Sequence, residues 1–170
     1  YSELEGAALK NIVSCLRDVK YLNHITIGLD KANKSEFIKA KKFFSDLNQS
    51  HSVLWNDSPK MKKLDSDFKK LGIAPNQPGK GKNVWYCMGY TYSRNEAGSV
   101  ALHDCDITTY NRELLARLVY PVSNPHFNYE FCKGYYPRIR EGALSGRVTR
   151  LLVTPLLKTF KKVLGHRDYI

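Results

Sequence analysis

Apolar residues recur along this chain with two periods, and the switches between them mark out the elements. Residues 3–19 place Leu4, Ala8, Leu9, Ile12, Val13 and Leu16 on one stripe, the spacing of an amphipathic helix. Ile25-Thr26-Ile27-Gly28-Leu29 is a short β-branched run and predicts a strand that ends at Asp30. Helical spacing returns over 36–47, with Phe37, Ala40, Phe43 and Phe44 on one side and Ser35 as the expected N-cap. Residues 51–57 predict a second strand, closed by the turn chemistry of Asn56-Asp57-Ser58-Pro59. A polar, basic helix follows over 60–71 and stops at Gly72. After the loop Pro75-Asn76-Gln77-Pro78-Gly79, an amphipathic helix carries Val84, Trp85, Cys87, Met88 and Tyr90.

The run from Ser99 to Ile107 reads as a third strand, buried on both faces, that leaves the core at Asp104 and Asp106. Thr109 is the expected cap of a helix over 110–119. Residues 127–139 alternate imperfectly and predict a strand followed by an irregular aromatic stretch. Residues 148–164 form a broad apolar face opposite cations, a helix kinked or restarted at Pro155. Strands that alternate with helices imply an α/β fold, a mostly parallel sheet with helices on both faces. In such sheets ligands gather at the carboxyl ends of the strands, where Asp30, Asp57, Asp104 and Asp106 all fall.

Composition narrows the class. With 42% hydrophobic and 12% aromatic residues over 170 positions, the chain can bury a core and fits one domain or one lobe of a larger enzyme. The formal net charge of +11 favours anionic partners. The cations are spread along helix faces, and the one aromatic-basic cluster, Lys133 to Arg140, matches no nucleic-acid motif. No apolar run is long enough to span a membrane and no signal peptide is evident, so no membrane partner is expected. Cys15, Cys87, Cys105 and Cys132 are scattered, which suits a cytoplasmic chain and excludes a zinc knuckle.

Three motifs can carry chemistry. On an extended backbone Asp104 and Asp106 aim at one point while Cys105 aims elsewhere, an arrangement suited to a hard divalent cation shared with phosphate oxygens. Pro78-Gly79-Lys80-Gly81-Lys82-Asn83 is a glycine-rich, basic approach to a helix N-terminus, which favours phosphate, although no Ser or Thr follows as a Walker A loop requires. Gly146-Arg147-Val148-Thr149-Arg150 combines a glycine, a guanidinium for phosphate or carboxylate, and a hydroxyl at a helix start.

Together with the helix–strand order, Asp104-Cys105-Asp106, Pro78-Gly79-Lys80-Gly81 and Gly146-Arg147-Val148-Thr149 resemble retaining GT-A glycosyltransferases, and within these the glucosyl-3-phosphoglycerate synthases. The resemblance implies a GT-A, Rossmann-like fold and transfer of glucose from UDP-glucose to 3-phosphoglycerate with Mg²⁺ (or Mn²⁺). It implies that Asp104 lies near the donor ribose and diphosphate, that Asp106 binds the metal, and that Lys80 contacts the donor nucleotide or diphosphate. Asp30 and Glu3 join the donor side, while Gly146, Arg147 and Thr149, with Lys133, form the acceptor site. Glu130 is the candidate catalytic carboxylate. Two features of the family are absent: a Pro-Ala-Leu loop after a first strand, and a later metal-binding His that His166 does not replace. Residues 1–170 are therefore expected to be the nucleotide-sugar-binding lobe of a longer glycosyltransferase, with a second copy as a candidate partner. The alternatives are a related transferase with another sugar or acceptor, such as mannose or glycerate, and a basic nucleic-acid-binding module.

Overall fold

Two parallel strands sit at the centre of the first of two compact units, Tyr1–Cys132 and Lys133–Ile170. The computed structural model describes residues 1–134, 139–140, 143–144 and 149–165. Strand β1 (Ile25–Leu29) pairs with β2 (His51–Trp55) in the register Ile25↔His51 to Leu29↔Trp55. Parallel strands need a crossover, and α2 (Lys34–Phe44) supplies it. Its cap is Asn33 rather than Ser35. Asn33 accepts from the Glu36 amide at 3.0 Å while Glu36 accepts from the Asn33 amide at 2.7 Å, a reciprocal box that a serine inside the first turn cannot make.

The period of two assigns the faces of the sheet. Ile25, Ile27, Leu29, Val53 and Trp55 pack into a core with Leu9, Ile12 and Val13 of α1 (Ala7–Leu16). Thr26 and Ser52 point the other way, toward the helix Lys80–Ser93. Thr26 Oγ1 lies 3.0 Å from Thr91 Oγ1, and Ser52 Oγ lies 2.9 Å from Tyr90 Oη. Helices thus cover both faces, as the alternation implied. The stripe expected over 3–19 is divided: a 3₁₀ turn, Ser2–Glu5, is separated from α1 by extended Gly6.

Ser58 caps α3 (Pro59–Lys70), with proline at the helix start where it loses no hydrogen bond. It leads to α4 (Lys80–Ser93). Asp65 ties the two helices: its carboxylate takes Lys82 Nζ at 2.5 Å, Tyr86 Oη at 2.6 Å and Lys69 Nζ at 2.9 Å. The hydrogen bond from Lys82, then that from Tyr86, holds this carboxyl far below the usual range, against a smaller opposing effect of burial. A carboxylate with a depressed folded-state pKa stabilises fully above its unfolded value and loses that contribution as pH falls. The stability gap between the parent and Asp65→Asn should therefore be constant above about pH 5 and shrink below about pH 4. Urea titrations at pH 7, 5 and 3 measure it, and a gap that widens on acidification would contradict the assignment.

Two expected strands are not found. Residues 99–107 run without strand pairing, and Val100 and Leu102 are exposed. An apolar run becomes a strand only beside a neighbour that completes its hydrogen bonds, and among the described residues β1 pairs with β2 alone. Residues 127–132 are irregular as well. Between these stretches, α5 (Arg112–Ser123) is capped by Asn111, not Thr109, and continues through Pro121; its Leu115 is 2% exposed and joins the core.

In the second unit, Ile139–Arg140 (β3) and Ala143–Leu144 (β4) form a minimal antiparallel pair. A π-turn, Thr149–Val153, precedes α6 (Thr154–Leu164), so the helix restarts at Pro155 as expected. No described helix is long and apolar enough to cross a membrane.

Candidate functional site

The carboxyl end of β1, the start of α4 and residues 99–106 line a cavity of about 870 Å³. Five of the residues singled out from sequence line it: Glu3, Asp30, Lys80, Asp104 and Asp106. Lys80 opens α4 behind Gly79, whose φ of 120° is accessible to glycine and strained for other residues. Gly79 offers no side-chain cap, so the first amides of α4 are left for an anion. The Lys80 ammonium pairs with the Asp104 carboxylate from 24 positions away in sequence. The structure thus joins two predicted donor contacts into one charged pair at the cavity wall.

Asp30 is held by residues that sequence reasoning missed. Asn56 Nδ2 donates to Asp30 Oδ1 at 2.7 Å and to Asn83 Oδ1 at 2.9 Å, while Asn83 Nδ2 donates to the Gly28 carbonyl at 3.2 Å. Asn56 Oδ1 remains buried without a hydrogen-bond partner. The signal for Asn83 was its position: it precedes Cys87 by one turn, on the side of α4 that faces β1. A polar residue on a packed stripe asks for a partner. Asp57, the remaining acidic strand end, is used structurally: its carboxylate accepts the Ala32 amide at 3.0 Å.

The thiols around the cavity are poor ligands at neutral pH. Burial, then the charges of Asp30 and Cys105, push the Cys87 thiol up to about 11. Cys105 is raised mainly by the protein around it, then by Glu3, Asp104 and Asp106, although its surface opens on the cavity. His103 is half-buried edge-on to Tyr110, with ring centroids 5.2 Å apart, and burial lowers its pKa. Carboxylate oxygens are left as the donor set. Among the described residues no three His, Cys, Asp or Glu side chains gather into a complete metal site. Mg²⁺ commonly takes one or two protein carboxylates and fills its shell with water and phosphate oxygens. Asp104 and Asp106 fit that kind of partial site.

The remaining predicted residues lie in three places. Glu130 is exposed and does not line it. Lys133 is exposed in the second unit, and Thr149 begins the π-turn there. Gly146, Arg147 and His166 lie outside the described residues.

Two known proteins match the chain. A curated protein of Persephonella marina, a glucosyl-3-phosphoglycerate synthase, is 46% identical over 170 residues, all of this chain and 42% of that protein. The chain is similar to glucosyl-3-phosphoglycerate synthases over its whole length. A second protein of that name, from Methanococcoides burtonii, is 38% identical over 164 residues, 95% of this chain and 40% of the relative. The chain therefore spans about two-fifths of the length of these synthases. No family model matches it, and no solved structure does.

Proposed function

We propose that this chain is the donor-binding part of a glycosyltransferase that makes glucosyl-3-phosphoglycerate from a nucleotide sugar, UDP-glucose, and 3-phosphoglycerate. The observation that carries the reading is the Lys80–Asp104 pair beside Asp106 at an uncapped helix N-terminus, in a chain 46% identical to such a synthase.

The residues divide the work. The Asn56-held carboxylate of Asp30 faces the nucleoside side of the cavity, where two hydroxyls of a ribose offer donors to it. Lys80 and the first amides of α4 receive the diphosphate, whose negative charge grows as the sugar bond breaks. Asp106, with Asp104, would hold Mg²⁺, which when bound supplies charge neutralisation to the leaving diphosphate. Lys80 is then free to turn from Asp104 to phosphate, an exchange of one oxyanion for another. Arg147 and Thr149, with Gly146 and Lys133, bind the carboxylate and phosphate of the acceptor, and a guanidinium suits both groups. Glu130 is a poor nucleophile on this reading, exposed and not among the residues that line the cavity.

Calorimetric titration with UDP-glucose tests it. Binding should be at least ~10-fold tighter with Mg²⁺ than with chelator, and raising the salt should weaken it only modestly. A polynucleotide that binds with a steep salt dependence, with no heat from UDP-glucose and Mg²⁺, would instead favour a basic nucleic-acid module.

A further inference from the structure

The outer edge of β2 faces a second cavity, of about 340 Å³, which shares no lining residue with the first. The Ile25 amide donates to the Ser50 carbonyl at 2.9 Å, and the Asn56 amide donates to the Leu29 carbonyl at 3.0 Å. In a parallel ladder the amide and carbonyl of one residue share a side and the next residue faces the other. Ser50, Ser52, Leu54 and Asn56 therefore turn their backbone groups toward β1. His51 and Val53, between them, turn theirs outward, and both line the cavity. Among the described residues no strand lies beyond β2, and nothing meets the amides or carbonyls of His51 and Val53. Two residues of a strand span about 6.6 Å, so the edge offers two donor–acceptor pairs at the repeat of a neighbouring strand.

The two walls differ in chemistry. Side chains alternate across a sheet. His51 and Val53 share the side of α2, which adds Phe37 and Lys41, while Ser52 and Leu54 share the side of α4, which adds Tyr90. The α2 wall is cationic. Lys41 Nζ stands 5.9 Å from the centroid of the Phe37 ring and makes no ion pair among the described residues. Lys34 falls two turns earlier on the same stripe of α2, and no acidic residue lines the cavity. The α4 wall has its polar groups occupied. The Ser52 hydroxyl is shared between His24 Nε2 at 3.0 Å and Tyr90 Oη at 2.9 Å, which leaves Leu54 and the Tyr90 ring as contact surface.

We propose that the edge of β2 docks an extended segment of a partner protein in which acidic and apolar residues alternate. The acids lie on the α2 side beside Lys41, and the apolar side chains lie on the α4 side against Leu54 and Tyr90. A small anion would leave the outward carbonyls unmet, whereas an added strand meets donor and acceptor together. Charge selects this occupant over a second copy of the chain, which would bring a formal charge of +11 and another Lys41 to the same seam. Lysine at a sheet edge guards against pairing with like chains, and an acidic strand turns that repulsion into attraction. Docking here is separate from the donor cavity and holds whichever sugar or acceptor is used.

Two blocked hexapeptides test it on this chain, one of alternating Glu and Val and one with Lys in place of Glu. Saturating Glu–Val peptide should slow exchange of the His51 and Val53 amides at least ~10-fold. The amides of Ile27 and Leu29, bonded to β2, report that the chain stays folded. By calorimetry the Lys–Val peptide should bind at least ~10-fold more weakly than the Glu–Val peptide, and Lys41→Glu should reverse that preference. Lys63→Glu, which changes an exposed cation of α3 that does not line the cavity, should leave both affinities within ~2-fold. Equal affinity for the two peptides, unchanged exchange at His51 and Val53, or an effect of Lys63→Glu as large as that of Lys41→Glu overturns the proposal. So does protection of the two amides without peptide in a self-associated chain, which would give the edge to a second copy. The two peptides on the parent chain decide the matter even if Lys41→Glu fails to fold.

Discussion

Replacing Asp106 with alanine is expected to abolish the dependence of UDP-glucose binding on Mg²⁺ and to weaken binding in the presence of the metal at least ~100-fold, about 2.7 kcal/mol. The change suits the question because Asp106 does little for the fold. Its side chain is exposed, and among the described residues it makes no hydrogen bond or ion pair. Exposed substitutions away from such contacts stay within about 0.5 kcal/mol, so urea midpoints of the parent and Asp106→Ala should coincide. Asp104 differs, since removing it leaves the Lys80 ammonium without its partner at the cavity wall. With chelator present Asp104→Ala should therefore bind nucleotide at least as tightly as the parent, because Lys80 no longer exchanges a carboxylate for phosphate, whereas with Mg²⁺ it should bind more weakly. If Asp106→Ala leaves the Mg²⁺ requirement intact, the metal is held elsewhere and the division of roles between the two acids is wrong.

The parts of this site that could be read in the sequence are those written in consecutive residues. Gly79 before Lys80 announces a turn, an unblocked helix start and a cation together, and the structure shows all three. Asp104 and Asp106 mark a strand-end pattern even though the strand itself is missing here. That miss is informative: hydrophobicity says that a segment wants burial, while pairing depends on a neighbour that local sequence does not name. Asn33 prevailed over Ser35 for a similar reason, since the cap is settled by the reciprocal bond with Glu36 and not by residue type alone. The amide chain Asp30–Asn56–Asn83–Gly28 joins three separate stretches and becomes visible only once α4 lies across β1.

Gly28→Ala is the change that should expose this dependence most sharply, with a loss of about 1–3 kcal/mol in stability and a parallel loss of nucleotide affinity. Glycine inside a strand is ordinarily a weakness, and alanine there would gain roughly 0.5–1 kcal/mol from the unfolded chain. Here a methyl on Gly28 would stand 1.9 Å from Asn83 Oδ1 and 2.7 Å from Cys87 Sγ. The Asn83 side chain has room to turn only by giving up its bonds to the Gly28 carbonyl and to Asn56. Asn56 would then hold Asp30 alone, and α4 would lift from β1 just where it presents Lys80. Clash and lost bonds outweigh the entropic gain. Replacing Asn83 by alanine in the same chain should recover part of the stability, since the oxygen in the way is gone, without recovering affinity, since the amide that orders the strand ends is gone too. Equilibrium unfolding and UDP titration of the two single variants and the double variant measure both. If the double variant regains neither, or if Gly28→Ala stabilises the chain, the close packing of α4 on β1 is not what sets the geometry of this site.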